Sequence, residues 1–452
     1  MHASLTGLQS RAFVLFTFIG AAALLPRATR AQSSEASQAS RATVRAPLSL
    51  ADVYAAVDRG SPRIRAAAAL ARAAGSRVSG VERPPDPTLQ FGFMNYMLPD
   101  LSADPVLGMR QWQLMQMLPL PGKLASAGAA ARSRTVAAEQ RVIEVRLTVR
   151  AVAAMAFVER WGAERQAEIA IETRRLLEDA SAVALSMYRV GEGRQVDVLR
   201  SQVEIARMDE EVVRMRSMGD AALARLAAVA DLPMDSVAGP PVLPKLPDSL
   251  PALDSLVATA IATRPMLAAG VADVDAASAG VKLAARERWP DPQVGLQFGT
   301  RGGPMGTDRM GSLMVGASIP IWARSRQSAM RQESIAMREM AEADLLAMRA
   351  DTRGRVGEMH TAIASSRRLA ALYRTAVLPQ ADAAAASSVA AYRAATVDFM
   401  TVVENRMTVN RYRQELVALE VAEATAWVEL EMLLGRRLLE TDVTRLAPGG
   451  AR

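Results

Sequence analysis

Cysteine is absent from the 452 residues. That excludes disulfides, thiolate zinc sites and a lipid anchor carried on an N-terminal cysteine. Histidine is nearly absent too: the sequence holds two, His2 and His360. His360 sits in the helical stretch Glu358-Met359-His360-Thr361, so no Ser-His-Asp set, HExxH motif or histidine metal cluster can be assembled. There is no glycine-rich phosphate loop. No catalytic residue, cofactor site or metal site is assigned, and the chain reads as something other than an enzyme. Lysine occurs only at Lys123, Lys245 and Lys282. The remaining positive charge is arginine dispersed among acids, and aromatics are only 4%. A nucleic-acid surface would need a concentrated basic patch with stacking aromatics, so no nucleic acid is expected as a partner. Carboxylate runs such as Asp209-Glu210-Glu211 and Glu339-Met340-Ala341-Glu342 alternate with arginine at helical spacings and read as solvated helix faces.

Long hydrophobic runs are missing except at the start. Arg11, the apolar run from Ala12 to Leu25 and the small-residue site ending at Ala31 look like a secretory signal peptide over residues 1–31. The run is about 14 residues, short of the ~20 that a spanning helix needs. Its removal would take three arginines and no acid from a formal net charge of +7. Residues 32–46, rich in serine and alanine, read as a disordered tether.

Two short stretches alternate apolar and small or polar residues with a period of two, which marks a strand. In the later one, Val294, Leu296 and Phe298 alternate with Gln293, Gly295, Gln297 and Gly299. After a loop opened by Arg301-Gly302-Gly303-Pro304, Leu313, Val315, Ala317 and Ile319 alternate with Ser312, Met314, Gly316 and Ser318. The earlier copy alternates Leu89, Phe91 and Phe93 with Thr88, Gln90 and Gly92, and returns through Trp112, Leu114 and Leu118. The string LQFG recurs at Leu89–Gly92 and Leu296–Gly299. Each hairpin has strands of roughly 9 to 11 residues, the length that crosses a bilayer at a tilt. Four strands cannot close a membrane barrel, and lipid does not tolerate open edges, so several chains must share one barrel. Trp112, Trp289 and Trp322 fall at or near strand ends, where either an interfacial belt or ordinary packing accounts for them.

The rest is helix. Ser49 is placed to cap a helix that meets Gly60-Ser61-Pro62 and continues to about Ser79; Leu253–Ile261, Thr263-Arg264-Pro265 and an alanine-rich run to about Arg288 repeat that opening. No proline lies between Pro121 and Pro233, and Gly191-Glu192-Gly193 is the one break, so two very long antiparallel helices are expected there. Val142, Val145, Val149, Val152 and Ala156 follow a coiled-coil spacing, as do Val198, Ile205, Met208, Val212 and Met215. The second repeat is expected to form its pair between Pro320 and Pro379 and from Pro379 to Pro448, with Leu416, Leu419, Ala426, Leu430 and Leu433 on one stripe. The chain therefore divides into a first repeat (47–232), a stiff proline-rich surface linker (233–251), a second repeat (252–436) and a weakly ordered tail (437–452).

The order helix, β-hairpin, long helical hairpin, twice over behind a signal peptide, resembles the TolC family of outer-membrane efflux channels across about residues 47–436. The sharper match is Tyr188-Arg189-Val190-Gly191 followed by Asp197-Val198-Leu199 and Gln202, similar to the family's turn at its periplasmic tip; in the second repeat Tyr392 holds the tyrosine position and Ala395 stands where glycine is expected. The resemblance implies an α+β membrane protein: long antiparallel helical hairpins forming a periplasmic α-barrel, plus four strands per chain in a shared outer-membrane β-barrel. It further implies a homotrimer in outer-membrane lipid with a long periplasmic extension, docked to a periplasmic adaptor and an inner-membrane pump as a passive exit duct. Tyr188, Gly191 and Asp197 would lie at one helical tip and Tyr392, Asp398 and Glu404 at the other, forming a pore gate. Pro119-Leu120-Pro121-Gly122-Lys123-Leu124 resembles this turn in the family's heavy-metal branch. Met94, Met97, Met109, Met115, Met117, Met305, Met310 and Met314 lie in or near the strands. Soft thioethers suit Cu(I) or Ag(I), and methionine equally fills gaps in packing; both readings stay open. The reading from a different class is a soluble periplasmic coiled-coil scaffold or adaptor, whose strands would bury one face against a protein core.

Overall fold

A computed structural model describes residues 46–439 apart from 98, 101, 105, 106, 304, 305 and 395. The expected signal peptide, nearly all of the tether and residues 440–452 of the tail lie outside the described residues, as do Met305 and Ala395.

In the first repeat, α1 (Leu50–Gly60) starts on a reciprocal capping box. The Asp52 N–H donates to the Ser49 hydroxyl at 3.2 Å, and the Ser49 N–H donates to the Asp52 carboxylate at 3.1 Å. Pro62 cannot continue that helix, so the chain restarts as α2 (Pro62–Val81), with the proline in the first turn where no N–H is required. Strand β1 (Thr88–Met94) follows, then a small hairpin of β2 (Tyr96–Met97) and β3 (Ser102–Ala103) that the alternation did not announce, then β4 (Met109–Met117). Helix α3 (Lys123–Arg189) runs 67 residues, about 100 Å at the usual rise. It turns back into α4 (Gln195–Ala230).

The second repeat reuses these devices. Helix α5 (Leu253–Thr263) breaks at Arg264-Pro265 into α6 (Pro265–Arg286), at an angle of 47°. Strands β5 (Asp291–Gly303) and β6 (Gly306–Ser318) are 13 residues each, longer than the alternation implied. Arg301 faces Asp308 across that pair at 3.5 Å and extends the ladder toward the loop. Beyond a π-helical turn (Ala323–Gln327) come α7 (Ser328–Leu372), α8 (Leu378–Arg393) and α9 (Phe399–Leu434).

The expected boundary at Pro379 is wrong. A second π-helical turn, Tyr373–Val377, precedes the proline, and Leu378 N–H reaches the Tyr373 carbonyl. The wider turn brings the proline in at the start of α8, where its missing N–H costs nothing, so the helix runs on to Arg393. The simple coiled-coil seam also fails in one place. Val152 is 40% exposed while Ala153, Ala154, Phe157 and Val158 are buried. The reason is that α3 packs against α1, α2, α4, α6 and α9 at once, so burial follows several faces instead of one stripe.

One core joins the two repeats. Val57, Phe157, Val158, Leu226, Ile363, Trp427, Leu430 and Leu433 are its fully covered members. The proline-rich segment between the repeats is strapped onto this region: Arg160 donates to the Val237 and Ala238 carbonyls at 2.8 and 3.0 Å, and Leu48 bridges Pro241. The start of the tail is anchored rather than loose. Leu438 and Leu439 are buried, and both their N–H groups donate to the Glu431 carboxylate.

The sheet runs β1-β4-β5-β6, antiparallel throughout, so β4 and β5 join the two hairpins into one surface. Paired residues share a face. One face carries Leu89, Leu114, Leu296 and Leu313 in one row and Phe91, Trp112 and Phe298 in the next. These side chains are exposed, Leu313 at 68% and Val315 at 77%. The opposite face carries Gln90, Gln113, Gln297 and Ser312. No single helix among the described residues is long and apolar enough to cross a membrane.

Candidate functional site

Two regions hold the residues of interest, the helical turns far along the chain from the strands and the sheet itself. At the first turn α3 ends at Arg189, and the chain reverses through Gly191, whose φ of +82° is the left-handed conformation that glycine adopts without penalty. The Glu192 and Gly193 N–H groups both return to the Met187 carbonyl at 2.9 Å. Asp197 then falls in the first turn of α4, where a negative charge complements the helix dipole. At the second turn, Asp398 caps α9, accepting the Thr401 N–H at 3.1 Å and its hydroxyl at 2.8 Å.

The two turns pack together. Ala180 and Ala184 of α3 meet Tyr392, Phe399, Val402 and Val403 of the second turn in a small apolar cluster, with the Tyr392 and Phe399 rings edge to face at 5.4 Å. The Tyr392 hydroxyl is buried without a hydrogen-bond partner. Burial first, and the nearby Asp197 charge second, push its pKa up. Asp398 is held below the usual carboxylate range by the Thr401 side chain and then its backbone N–H, with smaller contributions from the Arg194 and Arg200 charges. Asp197, Arg194 and Arg200 of the first repeat thus face Tyr392 and Asp398 of the second.

Residues 256–436, which hold most of the second repeat, match the family model described as outer membrane efflux protein. No curated protein sequence matches the chain. Among solved structures, the outer-membrane channel OprN is similar at a TM-score of 0.75 and 18% identity, over 86% of this chain and 90% of that one. The outer membrane protein VceC of Vibrio cholerae is similar at 0.73 and 16%, over 86% and 96%. CusC is similar at 0.72 and 15%, over 86% and 92%. The fold anticipated from the sequence, helical barrel hairpins plus a four-stranded contribution to a β-barrel, is the fold of these channels. Residues 256–436 thus carry the mark of an outer membrane efflux protein, and the chain as a whole has the fold of such channels.

Of the six tip residues expected from the sequence, the structure brings Asp197, Tyr392 and Asp398 to the packed turns. Tyr188 is 44% exposed and Gly191 lies in open space, both at the first turn but outside the cluster. Glu404 is exposed on α9, where it lines a cleft of about 610 Å³ with Met208, Glu211 and Arg411. Sequence reading missed Arg194 and Arg200. Their signal was spacing: each lies three residues from Asp197, on its helical face.

The Pro119–Leu124 motif has a structural use. Lys123 is buried, and its Nζ donates to Asp291 Oδ2 at 2.8 Å and to the Trp289 carbonyl at 3.1 Å. Asp291 Oδ1 in turn accepts the Leu120 N–H at 3.1 Å. The first repeat's strand-to-helix junction is therefore tied to the second repeat's helix-to-strand junction by a buried ion pair. Among the described residues, no group of three or more His, Cys, Asp or Glu is arranged to hold a metal ion.

Proposed function

We propose that this chain is the outer-membrane exit duct of a tripartite efflux system. Three copies close a barrel of about twelve strands and continue it as a tube of long helices, to which a periplasmic adaptor and an inner-membrane pump dock. The observation that carries the reading is the sheet: its apolar face is exposed along its whole width, and β1 and β6 have unpaired outer edges. Neither feature is stable in water or in lipid unless strands from other copies complete the ring and lipid covers the apolar face. A soluble scaffold would bury that face under protein.

The duct does no chemistry and couples no energy. It supplies a wet path whose narrow end is the cluster of Asp197, Tyr392 and Asp398 with Tyr188 and Gly191 at the adjoining turn, and Glu404 lies further up the wall. Buried tyrosine packing and the Asp–Arg charges hold the two turns together at rest, and engagement by the pump complex separates them. The cargo is heavy-metal cations, a reading supported by the form of the Pro119–Leu124 turn.

Expression with its export signal in a Gram-negative host, followed by membrane fractionation and size exclusion with light scattering, tests this. Recovery from the outer membrane as a trimer is expected. A soluble periplasmic monomer or dimer would sink the duct.

A further inference from the structure

The four-stranded sheet contains six methionines: Met94 in β1, Met109, Met115 and Met117 in β4, and Met310 and Met314 in β6. The strand registers put every one on the same face. That face is the polar one, shared with Gln90, Gln111, Gln113, Gln297 and Ser312, and none of the six is on the leucine and phenylalanine face. Methionine used as an apolar filler belongs on the lipid side, so hydrophobicity alone predicts the opposite placement.

Glycines on β5 make room for the β4 sulfurs. Met115, Gly295 and Met314 form one row across β4, β5 and β6, and a Cβ on Gly295 would strike the Met115 sulfur. Four residue pairs further along, Gly299 pairs with Gln111 of β4 and Met310 of β6, and a Cβ on Gly299 would lie 2.8 Å from the sulfur of Met109, which reaches over from the Arg301 row. At both glycines the sulfur of a β4 methionine, in register at Gly295 and diagonal at Gly299, lies over a bare position of β5 whose β6 partner is a methionine. In Met109's own row Asp308 is paired with Arg301 at 3.5 Å, so that carboxylate is already engaged next to the soft sulfur donors.

We propose that these pairs, Met115 with Met314 across Gly295 and Met109 with Met310 across Gly299, are thioether sites for a soft monovalent cation, Ag(I) or Cu(I), on the inner wall of the duct. The assignment of this face to the lumen rests on the duct reading above. Thioethers are neutral and soft, so they favour such ions over Zn(II) or Co(II), which take imidazole and carboxylate. Two sulfurs per site bind weakly, and a ladder of weak sites along β4, spanning on the order of 25 Å, lets an ion enter and still leave.

The test uses the purified full-length protein in detergent and chloride-free buffer. Silver bound at equilibrium dialysis is measured by mass spectrometry for the wild type, for Met109/Met115/Met310/Met314→Leu, and for a control, Met330/Met337/Met340→Leu, on exposed positions of α7. Leucine conserves volume and is tolerated in packed positions. The strand variant should lose at least half of the bound silver and the control little. Equal loss in both variants, or none in the strand variant, overturns the site. A second measurement needs no variant: Ag(I) should shield Met109, Met115, Met310 and Met314 of the wild type from peroxide oxidation more than Met337 and Met340, and uniform oxidation argues against the proposal. Planar-bilayer conductance separates the two readings. A conducting wild type that binds no silver keeps the duct and loses the site; a non-conducting protein with strand-specific silver binding does the reverse.

Discussion

At the scale of single residues, the tip is decided by two side chains with opposite needs. The Tyr392 ring is packed against Phe399 while its hydroxyl is buried and unpaired. Tyr392→Phe should therefore leave stability unchanged or raise it by up to about 1 kcal/mol, and Tyr392→Ala should lower it by about 3 kcal/mol, measured by thermal melting of the purified protein. A loss on Tyr392→Phe as large as that on alanine would mean the hydroxyl has a partner in the assembled channel. Asp398 gives a pH dependence. Its pKa is lowered in the fold, so its contribution is present above the ordinary carboxylate range and lost as pH falls through the lowered value. Protection factors of the amides at the start of α9, corrected for the intrinsic pH dependence of exchange, should stay flat from pH 7 to about 5 and fall only below about pH 4; a fall near pH 6 would exclude this group as the cause. Tyr392 and Asp398 were named only through the resemblance of their turn to the family's tip. Their pairing with Asp197, Arg194 and Arg200 was not, because it runs between positions roughly 200 residues apart in sequence.

At the scale of elements, the breaks matter more than the lengths. Where α5 gives way to α6, Arg264 donates to the Glu144 carboxylate of α3 at 3.2 and 3.3 Å and to the Thr352 hydroxyl of α7 at 2.7 Å. The same carboxylate accepts the Met266 N–H at 3.2 Å, satisfying the freed start of α6. Both side chains are about nine-tenths buried. Glu144→Ala should cost about 3–5 kcal/mol, because it strands a buried guanidinium, and should appear as a lowered melting temperature with Arg264→Ala adding little more. Additive losses would show that the two act separately. Proline placed the α1–α2 and α5–α6 breaks correctly, since a missing N–H acts locally. The same rule misplaced a boundary at Pro379, because a π-helical turn upstream had already opened the ladder to receive it.

At the scale of the whole molecule, the cysteine-free chain allows a clean test of assembly. Single cysteines introduced on the outward edges of β1 and β6, tried in several registers, should give covalent trimers on non-reducing gels at the registers where neighbouring copies pair. Monomers at every register would argue that the edges β1 and β6 present here are not the assembly contact. The sequence by itself determined the two repeats, the strands and their two faces, the long helices and the first tip turn, because each follows from a local period or from the backbone limits of glycine and proline. Only the tertiary structure decided which distant groups meet. It joined β4 to β5, set Lys123 on Asp291, brought the methionines of β4 beside the glycines of β5 and packed one tip onto the other. Those outcomes depend on register and on burial between segments far apart in the chain, and no local period encodes them.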